Sequence, residues 1–383
     1  MFASFDYQPR TRIVFGVDSV NRIGELAAGL PARRVLLVTD PGIVAAGHAG
    51  RVTDLLRRSG LDVVTFDRVR ENPTTRCVRD CVEVARAGSI DAIVGLGGGS
   101  SLDTAKGCNF VLTNGGEMKD YWGIGKASRP MLPLIAVPTT AGTGSECQSF
   151  ALISDEVTHQ KMACGDPKAA ARVALLDPQL TLSQPAAVTA CTGIDAIAHA
   201  LESAVTKKRT PVSAVFSRES FRLAARALPR VLTDPQDLVA RGEMLLAAAW
   251  AGVAIENSML GAAHSTANPL TAHFGIAHGQ AVGLMLPHVV RFNSLDPQAA
   301  VIYADLALAA SLPNASHPAE AIAAKLEEWM DLARLPRHLS ALGVTAENVP
   351  ALAPEAADQW TARFNPREVS ARELQELYFS ALA

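Results

Sequence analysis

Asp195 and His199 stand four residues apart in Gly193-Ile194-Asp195-Ala196-Ile197-Ala198-His199, a stretch with no helix breaker after its glycine. On a helix both side chains leave one face, a turn apart. A carboxylate and an imidazole converging in that way make half of a divalent-metal site. His264 and His278, beyond a long helical segment, can supply the rest. The same spacing also fits a buried histidine hydrogen-bonded to an aspartate, so the pair alone does not decide.

Two glycine-rich stretches offer a second chemistry. Asp91 to Leu96 reads as a strand feeding Gly97-Gly98-Gly99-Ser100-Ser101, and Leu102 to Phe110 then reads as a helix. Strand, glycine turn and helix together bring bare backbone N–H groups and a helix N-terminus up to a diphosphate. The stretch is neither a G-x-G-x-x-G fingerprint nor a Walker loop. A plain loop is the other reading, with Ser100 or Ser101 capping the helix and Asp103 as a favourable N-terminal charge. Met131 to Val137 forms another apolar strand, running into Pro138-Thr139-Thr140-Ala141-Gly142-Thr143-Gly144-Ser145-Glu146. Hydroxyls and glycines directly after a strand suit a binding loop at the carboxyl edge of a sheet, or a polar turn without a ligand.

The elements that must carry these groups alternate through the first half. Arg12 to Gly16 reads as a strand and Ser19 to Leu30 as a helix. Arg34 to Asp40 is a continuously apolar strand ending in an acid and broken by Pro41-Gly42. Val52 to Ser59 follows as a helix, Asp62 to Phe66 as a strand and Thr74 to Ala87 as a helix. Continuous apolar runs belong to strands covered on both faces, so the expectation is a Rossmann-like parallel sheet in an α/β layered domain. Ala151 to Ser154 and Lys161 to Ala163 resemble a hairpin, and Val173 to Asp177 a last strand. Asp177 to Pro185 is the best boundary, which divides the chain into 1–182, α/β, and 183–383, all-helical. Ala187 to Val205, with Thr192-Gly193 as a weak point, Pro211 to Leu228, Val239 to Asn257, Pro269 to His273 and Pro318 to Arg334 read as helices, their alanines suiting close packing.

At 383 residues, 49% hydrophobic, the chain is long enough for two domains with cores of their own. A net charge of −3 with both signs mixed gives no reason to expect nucleic acid or an anionic membrane as partner. The N-terminus shows no leader pattern and no long charge-free apolar run appears, so the expected compartment is the cytoplasm. Six scattered cysteines without a C-x-x-C pair read as reduced, mostly buried residues.

GGGSSLDTAKG, PTTAGTGSE, GIDAIAHALES and the HSTANPL…AHGQAVGLMLPHVVRFN block follow one another as in the iron-containing (group III) alcohol dehydrogenases, which the chain resembles over nearly its whole length, to Asn365-Pro366-Arg367 before a last helix. The resemblance implies an α/β nucleotide-binding domain and a helical domain, the dehydroquinate synthase-like architecture, with nicotinamide cofactor and metal meeting in a cleft between them. It implies Asp195, His199, His264 and His278 as ligands of one divalent ion, Fe2+ or Zn2+. It implies Gly97, Gly98, Gly99 and Ser100 at the cofactor diphosphate, and Asp103, Thr139, Thr140, Thr143 and Lys161 around the nicotinamide side. Asp40 matches the family acid beside the adenosine ribose; a carboxylate there accepts from the 2′-hydroxyl and repels a 2′-phosphate, which predicts NAD over NADP. As a turn residue before Pro41 it would have no such role.

One departure stands out. The best-known branch carries a histidine four residues after the third ligand, thought to pass the alcohol proton to solvent; here that position is Asn268. An amide does not titrate near neutrality, which leaves water, the cofactor ribose or another group, such as His273, for the proton. His288 reads as structural, and so, as its other reading, does His273. The resemblance implies reversible oxidation of a small-molecule alcohol to an aldehyde or ketone with NAD, by a homo-oligomer of two or more chains. The alternatives are a dehydroquinate synthase-like lyase using NAD transiently, a metal-dependent hydrolase at the same ligands, or a non-catalytic NAD-binding protein.

Overall fold

Continuous burial along the central apolar runs builds the α/β half. The strands are β1 (Arg12–Phe15), β2 (Arg34–Val38), β3 (Asp62–Phe66), β4 (Ala92–Gly97), β5 (Gly123–Ile124), β6 (Leu134–Pro138), β7 (Phe150–Ser154), β8 (Lys161–Gly165) and β9 (Val173–Leu176). Six of them form one sheet in the order β1-β9-β6-β4-β2-β3, parallel throughout. Val35 and Leu37 enter one apolar cluster while Leu36 and Val38 enter another, as a period of two requires. Helices α1 (Ile23–Ala28), α2 (Pro41–Ala45), α3 (His48–Arg58), α4 (Thr75–Gly88) and α5 (Gly99–Asn114) connect the strands. Val52 and Leu56 of α3 join the Val35 cluster, and Val82 of α4 and Ala105 of α5 join the Leu36 cluster, so the sheet is covered on both faces. The expected hairpin is β7 and β8, antiparallel, with β5 parallel to β8 in a small second sheet.

The computed structural model describes residues 5–158, 160–313 and 317–383. Residues 1–4, part of the stretch read above for a leader, lie outside them. The contacts divide into an α/β unit, residues 8–140 and 144–184, and a helical unit that takes 5–7, 141–143 and 185–383.

The helical unit contains α6 (Ala186–Val205), α7 (Pro211–Thr233), α8 (Leu238–Glu256), α9 (Ala262–Phe274), α10 (His278–Asn293), α11 (Pro297–Ala309), α12 (Pro318–Leu332), α13 (Val349–Asp358) and α14 (Ala371–Ser380). Thr192-Gly193 does not weaken α6. Its helix is unbroken, because packing of Leu228 and Met244 over Gly193 outweighs the roughly 1 kcal/mol that a helical glycine costs. Among the described residues α8 alone is long and apolar enough to cross a membrane, and 67% of that window is buried inside the protein, as in a core helix.

The Arg34 strand ends before Pro41-Gly42, as expected, but two helices depart from the expected reading. Pro41-Gly42 also starts a short helix, because proline at the first position lacks an N–H that the helix would not use. The Asp40 side chain accepts from Ile43 N–H at 3.0 Å and caps it. The segment expected as Pro269 to His273 is the end of a longer helix, α9, whose first turn carries His264. Pro269 sits in its interior.

Candidate metal centre and dinucleotide loops

Three helices of the helical unit bring the four expected metal residues together. Asp195 and His199 lie a turn apart on α6, His264 is in the first turn of α9, and His278 is the first residue of α10. The imidazole Nε2 atoms of His264, His199 and His278 lie 3.5, 3.6 and 4.0 Å from one atom, Asp195 Oδ1. Donors at about 2.1 Å around a tetrahedral ion would be about 3.4 Å apart. Asp195, His199 and His264 offer ligand atoms all within 4.8 Å of one another, which suits a divalent ion between them, and His278 stands further from Asp195 than the other two rings.

Two of the rings are turned by their second nitrogen. His199 Nδ1 donates to the Gly142 carbonyl at 3.2 Å. His264 Nδ1 donates to Glu202 Oε2, and Glu202 Oε1 accepts from Ala263 N–H at 2.8 Å. Because a carbonyl and an ionised carboxylate only accept, these bonds commit the protons to Nδ1 and leave Nε2 for the ion. Asn365 Oδ1 takes the neighbouring Ala262 N–H at 3.2 Å, so side chains remote in sequence cap α9 where His264 begins it.

Asp195 Oδ1 and His264 Nε2 are buried without a hydrogen-bond partner. Two such atoms facing one point are costly in a protein that holds no cation there, and they fit a divalent ion. Burial pushes the Asp195 carboxyl up, yet His199, His264 and His278 outweigh it and hold it well below the usual carboxylate range. Burial lowers His264, but the charges and contacts of Glu202 and Asp195 lift it to about 9. On His199 burial dominates and the ring is depressed.

Glu202 was not among the expected site residues. Its signal was present: 195, 199 and 202 follow the i, i+4, i+7 spacing of one helical face.

The other expected residues fall as follows. Asn268, half-buried, donates through Nδ2 to Gln359 Oε1 at 2.9 Å. His273 lies nine residues after His264, about 13 Å further along α9. Its ring pairs with Glu355 at 2.6 Å with 55% of the side chain exposed, so the expectation of a substitute relay there finds no support in the geometry.

In the α/β unit, β6, β4 and β2 are neighbours, with Val38 opposite Gly95 and Gly97 opposite Pro138. Their carboxyl ends therefore set Asp40, Gly97 to Ser100 and Thr139-Thr140 side by side, the place where parallel sheets take ligands. Gly97 has φ +144°, and a Cβ there would lie 2.5 Å from Ser101 Oγ and 3.1 Å from Asp40 Oδ2, so only glycine fits. Gly98 is the N-cap of α5, so neither Ser100 nor Ser101 caps it. Bare backbone at a helix start is the cradle a diphosphate needs. Asp103 is buried, accepts from Ser145 Oγ at 2.6 Å, and is pushed up by burial against the charges of Lys106 and Lys161. Lys161 opens β8, while Thr143 belongs with the helical unit.

A family model described as "Iron-containing alcohol dehydrogenase" matches residues 9–178. A second, "Fe-containing alcohol dehydrogenase family, C-terminal", matches residues 189–382. The chain belongs to the iron-containing alcohol dehydrogenase family. Similar family members include the NAD-dependent methanol dehydrogenase of Bacillus methanolicus, 33% identical over 371 residues that cover 96% of this chain and 97% of that one. Another is the 1,3-propanediol dehydrogenase of Klebsiella pneumoniae, 34% identical over 388 residues and 99% of both chains. A crystal structure of a 1,3-propanediol oxidoreductase matches with a TM-score of 0.94 at 33% identity, covering 99% of this chain and 100% of that one. As an iron-containing alcohol dehydrogenase the chain is an NAD-dependent oxidoreductase using iron or another divalent metal. The lyase and hydrolase alternatives are not favoured.

Proposed function

We propose that this iron-containing alcohol dehydrogenase interconverts a small primary alcohol and its aldehyde, with hydride passing to or from NAD and one divalent ion held by Asp195, His199, His264 and His278. The observation that carries the reading is the convergence of three imidazole nitrogens on one buried, unpartnered carboxylate oxygen. Relatives named for methanol and 1,3-propanediol support a small substrate.

When bound, the ion supplies Lewis acidity toward the substrate oxygen and makes the hydroxyl easier to deprotonate. Asp195 adds negative charge that moderates this acidity. The bonds from His199 to Gly142 and from His264 to Glu202 keep both rings in the orientation that binds metal. Gly97, Gly98, Gly99 and Ser100 take the cofactor diphosphate on backbone N–H groups, and Asp40 takes the adenosine ribose. Asp103, Thr139, Thr140, Thr143 and Lys161 serve the nicotinamide end. Asn268 hydrogen-bonds to Gln359 without titrating, so it does not itself relay the reaction proton.

Metal analysis of anaerobically purified protein, followed by absorbance at 340 nm with a panel of small alcohols, with and without added iron(II) or zinc, tests the reading. Metal-dependent reduction of NAD is expected, and undiminished turnover without metal refutes it. The protein works in the cytoplasm as a homo-oligomer, dimer or larger; six free cysteines support a reducing compartment, and light scattering measures the assembly.

A further inference from the structure

The Asp40 carboxylate is engaged on both oxygens from within the α/β unit. Oδ1 accepts from Ile43 N–H at 3.0 Å, and Oδ2 accepts from Ser101 Oγ at 3.2 Å. Ser101 is only 1% exposed, on the first turn of α5, sixty-one residues away in sequence. A helical serine ordinarily turns its hydroxyl back to the carbonyl three or four residues earlier. Ser101 instead reaches across to the end of the neighbouring strand, and bare Gly97 is what leaves room for the contact.

We propose that Ser101 is a positioning residue for cofactor selection, fixing the Asp40 carboxylate for the ribose hydroxyls. The inference rests on Asp40 being the acid that takes the adenosine ribose. An ionised carboxylate has about four lone-pair sites. With one filled by Ile43 N–H and one by Ser101, two remain, as many as the vicinal hydroxyls of a ribose. Without Ser101 the helix cap holds only one oxygen, the group regains rotational freedom, and binding a ribose must fix it again. The same hydroxyl has the opposite effect when Asp40 is absent. Ser101 Oγ and Ile43 N–H then have no acceptor and become donors for a 2′-phosphate.

NADH and NADPH fluorescence titrations, without alcohol, on metal-loaded wild type, Ser101→Ala, Asp40→Ala and the double variant test this, with kcat and KM measured alongside. Ser101→Ala is expected to raise the NADH Kd and NAD KM by about 3- to 10-fold with kcat unchanged. NADPH binding should move less, so the preference for NADH narrows. The double variant should bind NADPH more weakly than Asp40→Ala does, a sign reversal that a merely structural serine would not produce. Should Ser101→Ala melt early, Ser101→Cys, with a thiol of similar size that donates poorly, makes the same comparison. An unchanged NADH Kd and NADH-to-NADPH ratio in the Ser101 variant, with Asp40→Ala losing its preference, overturns the role of Ser101 alone. A wild type that prefers NADPH overturns the reading of Asp40 and this inference with it.

Discussion

Glu202 binds His264 Nδ1 with one carboxylate oxygen and the backbone N–H of Ala263 with the other, so a single side chain sets both a ring and the helix turn that carries it. Glu202→Gln keeps the volume but offers only one acceptor. Metal affinity is expected to fall about 10- to 100-fold, read by competition with a coloured chelator, while the melting temperature of the metal-free protein changes little. An unaltered affinity would show that the ring orients itself.

Asp195 Oδ1 is the atom on which the three imidazoles converge. Asp195→Ala should lose bound metal and alcohol-dependent NAD reduction together, measured by elemental analysis and absorbance at 340 nm on the same sample. Activity surviving without metal would contradict the role given to the site.

Glu146 is 1% exposed and its Oε1 has no hydrogen-bond partner. Nearby Lys106 already donates to Ser145 O, Ser145 Oγ and Phe150 O at 2.6 to 2.8 Å. Burial therefore outweighs the Lys106 charge and pushes the Glu146 carboxyl up to about 7. A folded value above the unfolded one means that the folded state binds the proton more tightly. Its contribution is full below the unfolded value, near 4.5, and is lost as pH climbs to 7. Urea unfolding should show wild-type stability dropping by about 2 kcal/mol more than that of Glu146→Gln between pH 5 and pH 8. Parallel profiles for the two proteins would exclude a buried, titrating Glu146.

Gly279 follows His278 on α10, and a Cβ there would lie 2.0 Å from the carbonyl oxygen of Cys191 on α6. Since the obstacle is backbone, Gly279→Ala must push the two helices apart, at about 1–3 kcal/mol. Both the melting temperature and the affinity for metal should fall, because α10 starts at His278. A variant that melts lower yet binds metal as before would show that His278 is placed independently of this crossing.

The sheet was legible because Val35, Leu36, Leu37 and Val38 are apolar at every position, which only a doubly covered strand tolerates. Asp195 and His199 were legible because one helix presents both. What could not be read depends on partners distant in sequence. The start of α9 is marked by glycine alone, its caps being Glu202 and Asn365, and α10 was hidden by Pro287 in its interior. The bond from Ser101 to Asp40 exists only because β2 and β4 are neighbours, a topology that no local spacing encodes. Pro41 ends the strand as read, and the short helix it also begins goes unread because proline is a strand breaker that starts a helix well.

The donors that meet at Asp195 are one carboxylate oxygen and three ring nitrogens, with no sulfur among them. Such a set ranks divalent ions by their general affinity series, in which iron(II) stands below copper and zinc. Occupancy by iron would thus reflect the supply in the cell rather than selection by the pocket, and traces of zinc in a buffer would be enough to replace it.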